Sequence, residues 1–351
     1  MKFLQIRFMM LACLVGNAQE TDLYTVHTIA FYNVENLFDT KEDSLVFDDA
    51  FTPAGSYQWT SERYNRKIDH LAQVIKRVGF SFRKSPPDIV GLCEVENLKV
   101  LQDLVAHPLL QASNYGIVHK DSPDERGIDV AMLFKKSTFL PTAMKYHTLK
   151  LLNEQRFREY TRDQLVVNGF LDNQAIYLII NHWPSRRGGE SRSRPHRIAA
   201  AELNLSIIDS IKHMENNPRI IGMGDFNDNP TDYTFRKVLK TKNKSAAIKD
   251  MELFNPMEQL FKKGEGSLAY RDRWSLFDQF YVSGNLVNGN APLKVWKVGI
   301  YNPSSLRIPQ GPFKGYPLRT YAGGRYTGGY SDHFPVYAFL IRKVKPLLRG
   351  D

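Results

Sequence analysis

The sequence feature that most constrains the fold is a short apolar run that ends abruptly in polar residues. Residues Ile220–Met223 are of strand type, and Asp225 and Asn227 follow directly before Pro230 stops the segment. A buried strand is therefore expected to bring Asp225 and Asn227 to the rim of a sheet, on the same side of the chain. A carboxylate there can take a proton or bind a hard cation. Aspartate and asparagine beside glycine and proline also form ordinary turns, so this stretch alone leaves both interpretations open.

The same arrangement, an apolar strand that ends in acid, amide or histidine, recurs along the chain. The predicted strands with their polar ends are Tyr24–Tyr32 with Asn33 and Glu35, Asp88–Asn97 with Glu94, Ala175–Ile180 with His182, Arg273–Val282 with Asp278, and Tyr330–Leu340 with Asp332 and His333. The period of the apolar residues also predicts the strands Tyr115–His119, Ile128–Phe134 and Arg162–Leu171 and the helices Thr60–Val78, Leu98–Leu110 and Arg197–Met214. The segment from Pro230 to Tyr270 predicts a helix with loops, and Tyr301–Tyr330 predicts one long loop. This mixture of elements predicts an α/β protein.

Each cluster alone also has an ordinary structural interpretation. Asn33 and Glu35 share one face of a strand end and suit a capped terminus as well as a site. A glutamate such as Glu94, where a buried strand reaches the surface, costs free energy unless it is paired or bound to a metal. A histidine after a strand, such as His182, is usually structural. A shared functional site is the favoured interpretation because every cluster falls where a strand meets a loop.

Arginines are concentrated after His182 and occur in one charged turn. Those that follow His182 are Arg186, Arg187, Arg192, Arg194 and Arg197. Guanidinium groups bind phosphate through paired hydrogen bonds, so Arg186, Arg187 and Arg126 of the turn are candidate substrate contacts. The formal net charge of +10 favours a polyanionic partner such as nucleic acid or anionic lipid, although it also serves solubility.

The N-terminus predicts export. A basic start, the apolar run Phe8–Val15 and small residues up to Ala18 form the pattern of a signal peptide over residues 1–18. The alternative is a lipoprotein anchored through Cys13. Both predict a periplasmic or secreted protein. Residues 24–342 contain no internal repeat or linker, so a single catalytic domain is expected there.

Composition limits the class of protein further. A chain of 351 residues with 42% hydrophobic content can bury a sizeable core, and no segment after the leader is long and apolar enough to span a bilayer. Removal of the leader would leave Cys93 as the only cysteine, which excludes a disulfide framework. Cys93 lies in an apolar run and is expected to be a buried, inert thiol.

Taken in chain order, the clusters resemble those of the endonuclease/exonuclease/phosphatase superfamily. This group contains DNase I-like nucleases, exonuclease III-like repair enzymes, sphingomyelinases and inositol polyphosphate phosphatases. The resemblance runs from Thr28 to Leu340, and Asn181–Gly188 is similar to the Asn-His-x-x-Ser-basic-Gly pattern of its secreted bacterial nucleases. It implies a four-layered α/β sandwich, in which two mostly antiparallel sheets pack face to face with helices outside.

The resemblance also implies a divalent cation, Mg²⁺ with Mn²⁺ or Ca²⁺ as alternatives. The ligands that it implies are Glu94, as the principal one, and Asn33, Glu35 and Asp332. Carboxylate and amide oxygens suit such a hard ion. By the same resemblance, Asp225 and Asn227 would align the attacking water and hold the phosphoryl oxygens.

Two histidines complete the implied catalytic set. His333 is similar to the general base of the superfamily, which Asp278 would orient through the other ring nitrogen. His182 resembles the histidine that DNase I-like members place near the leaving oxygen. No glutamate that would orient His182 is evident in the sequence, and Asp121 is the candidate for that role.

Three functions agree with this set. The favoured one is an exported, metal-dependent nuclease, a hydrolase that cleaves DNA, with RNA as a further substrate, by in-line attack of water. The loop residues Tyr316, Arg319, Tyr321, Arg325 and Tyr326 would suit a nucleic-acid backbone. The alternative is a phosphatase or sphingomyelinase-type phospholipase C, which shares Ser331–Val336; no apolar hairpin for membrane insertion supports it. A non-catalytic binding module would be expected to lack part of the set. We expect a monomer without a stable protein partner.

Overall fold

The computed structural model describes residues 23–153, 155–246, 248–288 and 291–344. The predicted signal peptide and Cys13 lie outside these residues. The strands, in chain order, are β1 Leu23–Leu37, β2 Ile89–Val95, β3 Tyr115–Val118, β4 Asp129–Lys135, β5 Phe139–His147, β6 Leu151–Leu152, β7 Arg158–Glu159, β8 Gln164–Leu171, β9 Gln174–His182, β10 Ile220–Asp225, β11 Leu253–Phe254, β12 Leu268–Tyr270, β13 Arg273–Ser275, β14 Asp278–Ser283, β15 Leu293–Ile300, β16 Tyr321–Ala322, β17 Arg325–Tyr326 and β18 Val336–Val344. The α-helices are α1 Ser61–Arg77, α2 Phe80–Arg83, α3 Leu98–Ala106, α4 Pro108–Gln111, α5 Glu190–Met214 and α6 Glu258–Lys262. No helix within the described ranges is long and apolar enough to cross a membrane.

The strands form two six-stranded sheets. The strand order is β15-β18-β1-β2-β4-β3 in the first sheet and β11-β14-β10-β9-β8-β5 in the second. Each sheet has one parallel pair near its centre, β1 with β2 and β9 with β10, and the other neighbouring pairs in its described strands are antiparallel. The prediction of two mostly antiparallel sheets is therefore confirmed.

Apolar side chains on both faces of each sheet produce four layers. Ile29, Met223 and Phe280 belong to the core between the sheets, where they are fully buried. The other face of the first sheet packs against α1 and α3, and that of the second sheet packs against α5, through residues such as Leu71 and Ile208. Layers of helix, sheet, sheet and helix result, and this confirms the predicted α/β sandwich.

Helix boundaries differ from the predictions in two places. The predicted helix Leu98–Leu110 is divided into α3 and α4, because Pro108 has no N–H for a continuing helix and instead starts α4. The helix predicted from Arg197 begins at Glu190, and it tolerates Pro195 in its second turn. The serine and arginine composition of that first part lacks an apolar period, which is why the prediction missed it.

Strand boundaries also differ. The predicted strand Arg273–Val282 is divided into β13 and β14, and the predicted Tyr330–Leu340 begins only at Val336, after Pro335. Asp332 and His333 therefore lie in the loop before β18. The edge strands β5 and β15 have no predicted counterpart, since their half-exposed faces carry no clear alternation of polar and apolar residues.

A buried polar network holds α5 against the second sheet. The Asn204 amide nitrogen donates hydrogen bonds to Asn181 Oδ1 at 2.7 Å and to Gln164 Oε1 at 3.1 Å. The Tyr281 hydroxyl donates to Asn204 Oδ1. Asn181 precedes His182, so the network fixes the end of β9 that leads into the polar cluster. All four residues are buried.

We expect Asn204→Ala to lower the free energy of unfolding by about 1–3 kcal/mol. The substitution removes the buried hydrogen bonds to Gln164 Oε1 and from the Tyr281 hydroxyl, and among the described residues it leaves Asn181 Oδ1 with only its bond from the Trp183 indole. Urea denaturation of both proteins measures the change. Ser210→Ala is the matched control, since Ser210 is exposed on the same helix. Equal unfolding midpoints for Asn204→Ala and the unsubstituted protein would contradict the importance of the network.

Candidate active site

The central strands of both sheets end at one place. In the parallel pairs, Asn33 of β1 lies beside Cys93 of β2, and Asp225 of β10 lies beside His182 of β9. Across the antiparallel pair, Asp225 faces Asp278 of β14. The structure therefore brings together the ends of strands that are far apart in the sequence.

Asn33 connects the carboxylates of the two sheets. Its amide nitrogen donates to Glu94 Oε1 at 3.3 Å and to Asp225 Oδ2 at 3.1 Å. Its Oδ1 accepts the Glu35 N–H at 2.9 Å, and its backbone oxygen accepts the Ser331 hydroxyl at 2.7 Å. Asn33 thus presents donors to the site, so its predicted role as an oxygen ligand of a cation stays a prediction.

Unusual backbone conformations orient the side chains of Glu35 and Glu94. Glu35 and Glu94 have φ values of 51° and 62°, in the left-handed region that residues other than glycine seldom adopt. Glu94 lies at an irregularity in the pairing of β2, and its Oε2 accepts the Asn36 N–H at 3.0 Å. Such strain persists only where the surrounding structure imposes it, and it is concentrated at functional sites.

Glu35 and Asp332 share a cationic partner. Arg319 donates to Glu35 Oε1 at 3.3 Å and to Asp332 Oδ2 at 2.8 Å. The Thr320 N–H donates to Glu35 Oε2 at 2.6 Å, and the buried Lys67 ammonium lies 3.9 Å from the same oxygen. Burial raises the pKa of Glu35, and the nearby Asp332 raises it further.

His333 is paired with Asp278. Its Nδ1 lies 2.6 Å from Asp278 Oδ2, and its Nε2 lies 4.0 Å from Asp225 Oδ2 and 4.0 Å from Asp332 Oδ1. Burial alone would lower the pKa of His333, but the carboxylates of Asp278, Asp225 and Asp332 outweigh it and raise the pKa well above its ordinary value. Burial raises the pKa of Asp225 to about 7, in spite of the nearby His333.

His182 is buried on the other side of Asp225. Its Nε2 lies 3.8 Å from Glu94 Oε1 and 3.7 Å from Asp225 Oδ2. Burial lowers the pKa of His182 well below its ordinary value, and the positive charge of Arg162 adds to this effect, so the ring is neutral. The proposed Asp121 partner is wrong: Asp121 is exposed and lies near His119, whereas His182 Nδ1 has no hydrogen-bond partner in the described part of the chain.

Asn227 stabilises the Asp225 carboxylate through its backbone. Its N–H donates to Asp225 Oδ1 at 3.0 Å, and its amide nitrogen donates to the Trp183 carbonyl at 3.0 Å. Its own carbonyl accepts the Arg186 Nε–H at 2.9 Å. The left-handed φ of 50° at Asn227 closes this turn.

The predicted substrate arginines lie in two different environments. Arg186 binds Asp228 and Asp232 at 3.1 and 2.6 Å and covers the ring of Phe277, so its guanidinium packs against the protein. Arg126 and Arg187 are exposed and line a groove of about 650 Å³ beside His182. Contact of all three with substrate stays a prediction.

Sequence analysis missed two cations that support the site. Lys67 lies on the inner face of α1, where its position among Tyr64, Ile68 and Leu71 was the available signal. Arg162 donates hydrogen bonds to the Asp124 carboxylate at 3.0 Å and to the backbone carbonyl of Trp183, the residue after His182, at 2.9 Å. Its position before an apolar strand gave no indication of this role.

The donor set suits a hard divalent cation. Glu94, Glu35 and Asp332 supply carboxylate oxygens. Burial alone would lower the pKa of Arg319, but the nearby carboxylates of Asp332, Glu35 and Glu94 raise it. Ligand-type atoms of Asp225, Asp278 and His333 also lie within 4.8 Å of one another. The site therefore holds an excess of buried negative charge that a divalent cation would compensate.

Carboxylates beside a histidine–aspartate pair are an arrangement that suits a hydrolase in which a metal-bound water is activated. The chain belongs to the Endonuclease/Exonuclease/phosphatase family, whose profile matches residues 28–342. This membership confirms the prediction of a hydrolase acting on phosphate ester bonds, a family in which divalent metals are typical.

Solved structures show the same fold. TDP2 of D. rerio in complex with a single-strand DNA product is 16% identical, with a TM-score of 0.52 over 90% of this chain and 99% of that one. A family protein of Bacteroides thetaiotaomicron is 17% identical, with a TM-score of 0.54 over 92% and 97%. ANGEL2, a 2′,3′-cyclic phosphatase, is 15% identical, with a TM-score of 0.56 over 93% and 99%. A search of curated protein sequences finds no match.

We expect the pH dependence of kcat/KM to reflect His333. A general base acts in its neutral form, above its pKa; since that pKa is raised, activity should increase with pH above the ordinary histidine value of 6.5. Asp278→Asn removes the carboxylate that contributes most to the raised pKa of His333, so the rising limb of the pH–rate profile should move to lower pH. His333→Ala should lower the rate by about 10²–10⁴-fold. Rates measured across pH test both.

The control for the pH experiment is Asp272→Asn. Asp272 is an exposed aspartate of the preceding hairpin, and its carboxylate contacts Tyr316 at 2.8 Å and not His333. Asp272→Asn should leave the rising limb of the pH–rate profile at the same pH as in the unsubstituted protein. An unshifted limb in Asp278→Asn would contradict the assignment of His333 as the base.

Proposed function

We propose that the protein is an exported, divalent-metal-dependent phosphodiesterase that hydrolyses DNA, with RNA as a further substrate. Residues 1–18 would be its signal peptide and 24–342 its single catalytic domain, a monomer of the periplasm or exterior. The observation that carries the substrate choice is the groove next to His182. The arginines that line it are Arg126, Arg158, Arg162, Arg187 and Arg192.

The charge of this groove supports a polyanionic substrate. Its acids are Asp124, Glu125 and Glu159, and two of them have basic neighbours. Asp124 is bound by Arg162 at 3.0 Å, and Glu159 lies 3.4 Å from His196. The surface is therefore basic on balance, and a phosphate backbone that continues past the scissile bond would be attracted along it. A small phosphomonoester has no continuing phosphate backbone and would not use this groove.

In the proposed reaction, His333 accepts a proton from the attacking water at Nε2. Asp278 holds the ring through Nδ1 and stabilises the imidazolium that forms. Asp225, whose Oδ2 is 4.0 Å from that Nε2, aligns the water. As the water oxygen bonds to phosphorus, the bond from phosphorus to the leaving oxygen breaks, and the leaving oxygen takes a proton from solvent. The lowered pKa of His182 favours its neutral ring, and we assign its Nε2–H a hydrogen bond to that leaving oxygen once substrate is bound.

Glu94 would hold the divalent cation, most simply Mg²⁺ with Mn²⁺ or Ca²⁺ as alternatives, with Glu35 and Asp332 completing the shell. When bound, the cation would neutralise charge on the phosphoryl oxygens. Asn33 and the Asn36 N–H fix the Glu94 carboxylate through both of its oxygens, which keeps it oriented before the substrate arrives.

We expect supercoiled plasmid to be nicked in Mg²⁺ and to stay intact in EDTA. Glu94→Gln should reduce nicking by about 10²-fold or more, because a neutral amide replaces the principal ligand. Gel electrophoresis over time measures the rate. Glu62→Gln, an exposed glutamate on α1, is the control and should nick normally.

Parallel assays with sphingomyelin and with a phosphomonoester address the alternative, a phosphatase or sphingomyelinase-type phospholipase C. Hydrolysis of either one with intact plasmid would replace the nuclease proposal. Nicking that persists in EDTA would contradict the proposed requirement for a divalent cation.

We expect Arg187→Ala and Arg126→Ala to raise the KM for DNA and to make its dependence on salt shallower. Each phosphate contact contributes about 0.9 to the slope of log affinity against log salt concentration, so each loss should reduce that slope by about 1. Lys212→Ala, near the C-terminal end of α5, should leave the slope unchanged. Equal slopes in all variants would argue against the groove as the DNA path.

A further inference from the structure

A cavity of about 220 Å³ adjoins the site at Glu35 and Asn36. Its walls include the rings of Phe51, Tyr57, Trp59 and Tyr321. Arg319, Thr320, Gly323 and Gly324 complete its lining. None of the four rings has a part in the reaction described above, and nothing in that reaction requires an aromatic cavity.

The rings are held rigidly. Phe51 stacks on Phe38 with ring centres 4.4 Å apart, and Tyr57 lies 4.6 Å from Tyr321. The Tyr321 hydroxyl donates to the Tyr57 carbonyl at 2.8 Å, and the Trp59 indole N–H donates to the Phe38 carbonyl at 3.0 Å. A planar group that enters the cavity would meet surfaces already in place, so little conformational entropy would be lost on binding.

The cavity opens directly onto the carboxylates. The Asn36 N–H, on its lining, donates to Glu94 Oε2 at 3.0 Å. Glu35, also on its lining, accepts from Thr320 and Arg319. A group bound against these rings would therefore lie next to the Asn36 N–H that holds the Glu94 carboxylate, on the side of the cavity nearest to a phosphate held there.

The chemistry of the lining distinguishes two kinds of occupant. Aromatic walls attract the face of a planar ring, whereas the polar groups at the edge, Glu35, Asn36 and Arg319, offer hydrogen-bond donors and acceptors to its rim. These groups are already paired within the protein, but an acyl chain would remove their remaining polar surface from water without a new hydrogen bond, which costs free energy. The turn Gly323–Gly324 carries no side chain and, with φ of 56° and 76°, keeps the rim of the cavity open.

We propose that this cavity binds the nucleobase of the nucleotide next to the scissile phosphate. The proposal rests on the proposed nuclease function and makes it more specific: the substrate class becomes a nucleic acid whose base is unstacked at the cleavage point, since a base inside a duplex cannot enter the cavity. It predicts a preference for single-stranded or locally opened substrate.

The test removes a single base from the substrate. A single-stranded oligonucleotide carries one abasic residue at a fixed position, and the products of the unsubstituted protein with Mg²⁺ map the cleavage rate at every bond. We expect the rate to fall about tenfold or more at one bond next to the abasic residue and to stay unchanged at distant bonds, because base–aromatic stacking is lost there.

Variants tie this effect to the cavity. In Tyr57→Ala the rate on the complete oligonucleotide should fall, and the additional penalty from the abasic residue should largely disappear, since the base and the ring act together. Phe313→Ala is the matched control and should behave as the unsubstituted protein, because Phe313 is an exposed ring that lies outside the cavity in the 301–330 loop, which also carries Tyr321.

The outcomes separate the two proposals. No cleavage of any oligonucleotide would overturn both the nuclease function and the base site. Cleavage that is indifferent to the abasic residue, or a penalty that persists fully in Tyr57→Ala, would overturn the base site alone. Hydrolysis of sphingomyelin that is lost in Tyr57→Ala would assign the cavity to an acyl chain instead.

Discussion

The site depends on one amide. The Asn33 side chain bonds to Glu94 within its own sheet and to Asp225 in the other, and the Asn33 carbonyl binds Ser331, which introduces the loop of His333. Apolar packing holds the two sheets together across their interface but supplies no directional bond at the site. The bonds of Asn33 fix the relative position of the sheets at the point where the reactive groups meet.

The same region concentrates negative charge that the fold only partly compensates. Lys67 and Arg319 face the carboxylates, and burial lowers the pKa of Lys67 to about 8, in spite of the neighbouring Glu35. The raised pKa of Asp225 and of Glu35 has the same origin. The chain thus tolerates an unfavourable arrangement of acids at the ends of its central strands, which is understandable if a divalent cation completes the balance of charge.

The sequence best predicts those structural features that depend on residues close together in the chain. The strand at Ile220 and the positions of Asp225 and Glu94 at strand ends follow from apolar runs that stop, and the structure has them there. The hydrogen-bond and ion-pair partners of these residues on other strands do not follow from the sequence, because tertiary packing determines them. Asp121 illustrates this limit, since it is close to His182 in neither sequence nor space. Arg186 is another example: besides Glu190, four residues away, it binds Asp228 and Asp232, which are distant in the sequence, so the sequence pattern does not show that its guanidinium packs against the protein.

Lys67 joins three parts of the molecule that are separate in the sequence. Its ammonium donates to Thr320 and to the carbonyl of Tyr330, each at 2.7 Å, from a helix on the outer layer, and it also faces Glu35. The two ends of the Thr320–Tyr330 segment are thereby anchored to the same side chain. This segment carries part of the aromatic cavity, so the Lys67 ammonium couples the wall of the cavity to α1. The long loop thus shares the stability of the helical layer.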